Sequence, residues 1–422
     1  MPTTHTLIIG AGQAGLAMSR CLTDADIDHV VLERGRAAER WRTQRWDSLR
    51  LLTPNWAARL PGWSYRGRNP NGFMTAAELA DYLSAYATSF DAPICEDSAV
   101  RSLEPHDDGF VVRTDDAVWL AANVVIATGW CDQPRVPAMG AAVDGRVTQL
   151  TPYSYRNPGQ VPDGRVLVVG ASATGVQIAD ELARSGRDVV VAVGRHSRLP
   201  RRYRGMDIWW WLEQIGTFAK TIDDAPDPAR ARSEGSLQLT GRPDQRDVDL
   251  PALQALGVRL TGRLAAADGG TVHFADDLPA TTSAADGRLE RILAQIDDHI
   301  TASALDAEVL SPSPLAHLSP VPPTRQLDLL GDGFSTVVWA TGFSRPYDWL
   351  RVPILDRAGE ITQRRGVTPL PGLYVLGQRF QHRRDSSFID GVRHDATYVA
   401  GHIARRVRPN QRFTPLTPRT AP

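Results

Sequence analysis

The chain opens on a short apolar run, Leu7-Ile8-Ile9, which passes directly into Gly10-Ala11-Gly12-Gln13-Ala14-Gly15 and then into an Ala/Leu-rich stretch of helical spacing. This is a strand, a glycine turn and a helix in immediate succession, the context that gives G-x-G-x-x-G its meaning. A second strand, His29-Val30-Val31-Leu32, ends at Glu33. Leu79, Tyr82, Leu83 and Tyr86 then predict a helix over 75–86, and 100–120 reads as hairpin strands turning at Asp107-Asp108-Gly109. The strand Asn123-Val124-Val125-Ile126 ends in Ala127-Thr128-Gly129.

The same grammar then returns. Arg165-Val166-Leu167-Val168-Val169 flows into Gly170-Ala171-Ser172-Ala173-Thr174-Gly175, a helical stretch, and a second strand over 188–193. Leu289, Ile292, Leu293, Ile296 and Ile300 predict an amphipathic helix. Thr336-Val337-Val338-Trp339 is a strand ending in a second Ala-Thr-Gly, 340–342, and 372–377 is one more strand-to-loop element. Asp385-Ser386-Ser387 supplies N-cap candidates for a last helix containing Ile389, Val392, Tyr398, Val399 and Ile403. Pro- and Gly-containing stretches near 40–62, 223–245 and 311–323 read as irregular connections, and residues after Arg408 as a tail.

Each glycine in the first turn has a physical task. Gly10 permits the tight bend, Gly12 lets a pyrophosphate approach the backbone, and Gly15 lets the helix pack close to the strand. The helix start offers free N–H groups and positive dipole to phosphates, and Glu33 can hold a ribose 2′-OH. In the second copy Ser172 replaces the middle glycine, no acidic residue follows the second strand, and Arg195 stands there instead. An arginine at this place accommodates a 2′-phosphate and points to NADP; His196 and Arg198 are placed to share that task. Trp209-Trp210-Trp211 cannot share one helical face, since successive residues turn by about 100°. Either one of them meets cofactor or substrate, or the group serves packing and a subunit interface, which leaves a homodimer open.

Bulk properties narrow the classes. The 422 residues allow two or three domains, and a formal net charge of −1 argues against nucleic acid or an anionic membrane as partner. Of 47 basic residues only Lys220 is lysine, which leaves almost no Schiff-base candidate. Cys21, Cys95 and Cys131 are isolated, so neither a zinc site, a disulfide framework nor a C-x-x-C redox pair is expected. No apolar stretch approaches a membrane span, and a cytoplasmic protein is the expectation.

Two phosphate-binding turns about 160 residues apart, each paired with a later Ala-Thr-Gly strand, resemble the flavoproteins with two dinucleotide-binding domains. Within them the chain is similar to the class B flavin-containing monooxygenases, on Gly10/Gly12/Gly15 with Glu33, Trp41 with 45–49, both Ala-Thr-Gly strands, Tyr155-Arg156 and 372–377. It departs from that family's F-x-G-x-x-x-H-x-x-x-Y segment, where Gly145 and a tyrosine fit but no histidine occurs.

The resemblance implies an α/β fold of two Rossmann-like domains, the second inserted in the first: an FAD domain over 1–158 and 336–408, an NADPH domain over 159–335, and a tail over 409–422. It implies cofactor contacts at Arg34, Trp41, Trp46, Leu49, Val100, Ala127, Thr128, Gly129, Thr341 and Gln378, beside the first-turn glycines with Glu33 and the second-turn Gly170, Ser172, Thr174 and Gly175 with Arg195 and His196. NADPH would reduce FAD, and O2 would add to give a C4a-(hydro)peroxyflavin that oxygenates a small molecule. Thr53 and Asn55 are the polar side chains expected beside the flavin, unless Asn55 only caps the turn before Trp56. The alternatives are an NADPH-dependent flavin reductase or oxidase without oxygen insertion, and a flavin-bound sensor.

Overall fold

The computed structural model describes residues 1–320 and 322–406, so the tail expected at 409–422 lies outside the described residues. The strand Thr3–Ile9 is the centre of the first sheet. It runs parallel to His29–Leu32 on one side and to Val118–Ile126 on the other, with Ile8 level with Val31 and Val125. Ile94–Cys95 extends the first edge, and Leu373–Val375 returns from late in the chain to pair parallel with Val118–Ile126. The antiparallel strands Val100–His106 and Gly109–Thr114 complete the other edge. A parallel strand covered on both faces needs apolar residues at successive positions. Leu7, Ile8, Val124, Val125 and Ile126 are all without solvent exposure.

Helices Gln13–Asp24, Ala76–Thr88 and Val392–Ala404 cover one face. Ala76–Thr88 is started by a capping box between Thr75 and Glu78. Tyr347, Leu350, Val352, Ile354 and Ile361 close the other face.

The second sheet is wholly parallel, in the order Thr148–Leu150, Phe334–Trp339, Arg165–Val169, Val189–Ala192, Arg259–Thr261. Helices Ala173–Arg184 and Leu250–Ala255 pack on one side and a small antiparallel sheet on the other. The fold is therefore mixed α/β with two Rossmann-like parallel sheets, as the repeated pattern implies. The expected crossing points at 158/159 and 335/336 move, however. Thr148–Leu150 and Phe334–Trp339 both bond into the second sheet, so its strands begin before 158 and end after 336. A buried parallel strand reads alike in either sheet, and only hydrogen bonding assigns it.

The last helix also starts later than expected, at Val392 with Gly391 before it. Asp385 and Ser386 instead shape the preceding turn: the Ser386 hydroxyl accepts the His382 and Arg383 amides, and Asp385 pairs with Arg383. The predicted amphipathic helix is longer than its pattern, Leu278–Ala302, and its apolar stripe packs on Ile208, Trp211 and Leu212.

Arg201 ties the two units together. It is 1% exposed, donates 2.8 Å to the Leu52 carbonyl of the first unit, pairs with Asp207 and lies 5.0 Å over the Phe73 ring. Replacing it leaves Asp207 and that carbonyl without their buried donor. Arg201→Ala is expected to lower unfolding free energy by about 3 kcal/mol, the usual cost of removing one partner of a buried pair. Urea titration followed by tryptophan fluorescence checks it, and a loss under about 1 kcal/mol would make the pair no more than a surface contact.

Candidate active site

The two glycine turns are built alike. A Cβ on Gly15 would lie 1.8 Å from the Gly10 carbonyl oxygen, and one on Gly175 would lie 1.9 Å from that of Gly170. Each following helix has 12 residues, and its N-cap residue, Gly12 or Ser172, is extended and makes no side-chain capping bond. The first N–H groups of both helices thus lack a local side-chain acceptor, the condition for receiving phosphate oxygens. The Ala-Thr-Gly strands are explained by the same packing. The carbonyls of Ala127 and Ala340 come so close to Gly10 and Gly170 that a Cβ there would sit 2.8 and 2.4 Å away.

Beside the first turn lies a cavity of about 850 Å³, within the usual size range of cofactor sites. Gly10, Gly12, Glu33, Arg34, Trp41, Thr53, Val100, Ala127, Thr128 and Gly129 all line it. Nothing stands within 4 Å of where a Gly12 Cβ would be, so the backbone there is an open cradle for a diphosphate. The Glu33 carboxylate accepts the Ala11 amide at 2.7 Å and that of Gly35 at 3.3 Å, which fixes it at the strand end facing the cavity. Trp41 donates to Gln13 and carries the Arg45 guanidinium 4.6 Å over its ring. These residues fit an adenine dinucleotide laid along the end of the first sheet.

Other expected contacts fall elsewhere. Gly15 lies behind the turn, where it sets helix packing. Trp46 is buried in the core of the second unit, and Leu49 packs against that core, so both are structural. Asn55 is buried away from the cavity: its amide donates 2.9 Å to Asn69 O and accepts the Met74 amide at 2.8 Å. It does not cap the turn before Trp56, where Pro54 is the cap residue, but ties that turn to the segment 69–74. Gln378 does not line the cavity, although its neighbours Gly377 and Arg379 do, and its amide reaches the Tyr347 hydroxyl. Thr341 is held by the Arg135 carbonyl.

At the second turn, Ser172 faces the segment 233–241. A Cβ on Gly235 would lie 2.4 Å from its hydroxyl, and Gln238 donates 2.6 Å to the Ala171 carbonyl. Gly170, Thr174 and Gly175 complete that turn, with Thr174 half-buried. Arg195 is exposed, with one guanidinium nitrogen on Ser233 and the rest of the fork open. His196 is 1% exposed and bonded to Gly194 O, and burial pulls its pKa down, so it brings no positive charge to a phosphate at neutral pH. Arg198 is committed to Asp249 and Asp286.

Of the cavity's far wall the sequence flagged only the tryptophan run; Phe218 and Phe388 gave no signal. Trp209, Phe218 and Phe388 pack together there, with Trp209 4.7 and 5.3 Å from the other two rings. Trp211 is fully buried in the core instead and Trp210 packs edge-on against it, so the three tryptophans do part ways. Arg40 was also missed; it clasps Thr128 O, Cys131 O and Asp132 and so shapes the loop after the first Ala-Thr-Gly. Among the described residues no group of His, Cys, Asp and Glu is placed to hold a metal ion, and no helix is long and apolar enough to cross a membrane.

Comparison with known proteins agrees with this geometry. The profile of the pyridine nucleotide-disulphide oxidoreductase family matches residues 7–210. An uncharacterised CzcO-like oxidoreductase of Geobacillus kaustophilus is 32% identical over 94% of this chain and 97% of its own length. A probable indole-3-pyruvate monooxygenase of Arabidopsis thaliana is 29% identical over 42% of this chain and 44% of its own. In three dimensions a flavin-containing monooxygenase from Stenotrophomonas maltophilia superposes with a TM-score of 0.66 at 18% identity, covering 96% of this chain and 99% of that one.

Gly12→Ala follows as a test of the cradle. The backbone at Gly12 has φ −83°, which any residue adopts, and its Cβ would meet no protein atom. The variant is therefore expected to fold with an unchanged melting temperature in its dinucleotide-free form, yet to lose bound flavin, read from the visible absorbance of the purified protein. Full flavin content in this variant would show that no diphosphate lies against the turn.

Proposed function

We propose that this chain, which belongs to the CzcO-like oxidoreductases and is a flavin- and pyridine-nucleotide-family enzyme, is an FAD-dependent, NADPH-consuming monooxygenase acting on a small organic substrate. The observation that carries the reading is the duplicated turn: two glycine turns with the same close strand–helix approach, the first opening onto a cavity that both units line. Bound FAD would supply the redox chemistry, taking two electrons from NADPH and passing them to O2.

The protein's own part is to bind, orient and keep water out. Gly10, Gly12 and Glu33 would hold the FAD diphosphate and ribose, and the second turn with Arg195 would hold NADPH. Thr53 is the polar side chain of the Leu51–Leu52–Thr53 wall that faces the cavity. The apolar rings of Trp209, Phe218 and Phe388 exclude water, which strengthens electrostatic contacts inside. Thiol chemistry is disfavoured: the three cysteines are free, and burial pushes the Cys131 thiol in the cavity wall up to about 11. The thiolate, not the thiol, is the nucleophile. The Arabidopsis relative is called a monooxygenase, which supports the oxygenase reading.

One observation favours a second reading, an NADPH-dependent flavin oxidase or reductase without oxygen insertion. Both ends of the Asn55 amide are taken up by backbone, which removes one of the two polar side chains expected to guide oxygen. The two readings separate by product. Purified enzyme with NADPH, O2 and a metabolite extract is expected to yield a compound heavier by one oxygen atom, with peroxide well below one per NADPH. One peroxide per NADPH under every condition, and no oxygenated product, would replace the first reading by the second.

Nucleotide choice is tested at Arg195. A charge-assisted bond to the 2′-phosphate contributes about 1.5–3 kcal/mol. Arg195→Ala is therefore expected to raise KM for NADPH by about tenfold or more and to leave NADH unaffected. Equal use of both nucleotides by the wild type, with no change in the variant, would remove Arg195 from the site.

A further inference from the structure

Seven arginines line the cavity, and five of them are paired with a carboxylate. Arg45 donates to a backbone carbonyl and stacks on Trp41. Arg379 differs from all of these. Among the described residues it makes no hydrogen bond and no ion pair, and its only contact of this kind is the Trp130 ring, 5.1 Å away. Burial lowers its pKa first of all, Arg384 and Arg345 act in the same direction, and Cys131 and Glu234 oppose them, the Glu234 carboxylate being already bonded to Arg384. A guanidinium remains protonated in a protein interior. A half-buried cation without a partner is unfavourable, and here the side that lacks a partner faces a cavity.

The other wall is of opposite character. Trp209, Phe218 and Phe388 form a cluster of rings 4.7, 5.3 and 5.9 Å apart, flanked by Leu212 and Ile292. Arg379 and Phe388 are joined by a short turn whose residues Arg384 and Ser387 also line the cavity. A ligand that satisfies both features has a flat apolar body and one anionic group. The cofactor diphosphate is provided for at the Gly12 cradle, on the strand-end side of the cavity.

We propose that Arg379 determines substrate specificity by pairing with the carboxylate of a small aromatic or flat apolar acid, whose body lies against Trp209, Phe218 and Phe388. That the bound acid is the molecule oxygenated rests on the oxygenase reading; that the cavity binds such an acid does not.

Calorimetric titration of the FAD-loaded enzyme with phenylacetate and with neutral phenylacetamide tests the pairing. The wild type is expected to bind the acid about tenfold or more tightly than the amide, a charge-assisted bond being the only difference. Arg379→Met is expected to abolish that preference. Arg379→Lys should restore only part of it, because an ammonium lacks the planar two-donor fork. Trp209→Leu should weaken both probes alike.

The proposal is overturned if the wild type binds neither probe or fails to distinguish them, or if Arg379→Met keeps the preference. It is equally overturned if Arg379→Met loses FAD or weakens NADPH binding while the acid/amide ratio stands, since the guanidinium then serves a cofactor phosphate. Absence of any oxygenated product would sink the oxygenase reading and leave the calorimetric preference intact, so the two fail separately.

Discussion

The structure depends on one contact repeated: the start of a helix pressed against the end of a strand with no side chain between them. Gly15 and Gly175 place their α-carbons where a Cβ would meet the carbonyl of Gly10 or Gly170 at under 2 Å. That closeness aims the first N–H groups of each helix past the strand end and into the space beyond the sheet. The small alanines of the two Ala-Thr-Gly strands belong to the same constraint, because their carbonyls close the other side of each turn. Everything called a site here follows from where these two helix starts point.

The two cradles differ in what covers them. The first opens onto the cavity, and its cap residue, Gly12, meets nothing. The second lies under the segment 233–241, which bonds to Ala171 and Arg195 and also reaches across to the first unit. A Cβ on Gly241 would lie 1.9 Å from Leu51 O, and Glu234 pairs with Arg384 at 2.5 Å. The same segment, through Gly235, Ser236 and Leu237, lines the cavity. One strap of chain therefore touches the glycine turn of the second unit, the Leu51 loop of the first and the space between them.

What was legible in the sequence is what short-range geometry encodes. A glycine turn between a strand and a helix is a local object, so Gly10, Gly12, Glu33 and Gly129 could be placed from spacing alone, and the cavity does form around them. The same holds for the helix over Ala76–Thr88, whose Thr75 cap lies within four residues of its partner. Contacts between distant segments were not legible. Trp46 reads the same whether it covers a cofactor or a core, and only its place in the hydrophobic core of the second unit shows the latter. Phe334–Trp339 was recognised as a strand but not as a member of the second sheet, for its neighbours are set by hydrogen bonds to residues 165–169. Arg379 gave no signal at all. Its distinction is the lack of a partner among the described residues at a place in the cavity wall, and a sequence records neither which arginines line a cavity nor which of those stay unpaired.

That composition has a physical consequence for the joint between the units. Arg59 reaches Glu213 and Asp390, Arg156 reaches the carbonyls of Thr43 and Arg45, Arg201 reaches Leu52, and Arg384 reaches Glu234. Each of these links segments of the first unit to segments of the second or to the chain that joins them. A lysine in such places would offer three donors from a single point rather than a planar fork, and would shed its proton as burial deepened. A guanidinium keeps its charge and offers five donors in a plane, so it can hold a carboxylate and a backbone carbonyl at once. The two units are thus joined by directional, always-charged clasps, half-exposed at Arg59 and Arg384 and buried at Arg201, and the aromatic wall of Trp209, Phe218 and Phe388 lines the cavity beside them. Among the arginines that line this cavity Arg379 alone has no hydrogen bond or ion pair among the described residues, so its charge is left to the Trp130 ring and to whatever occupies the space between the units.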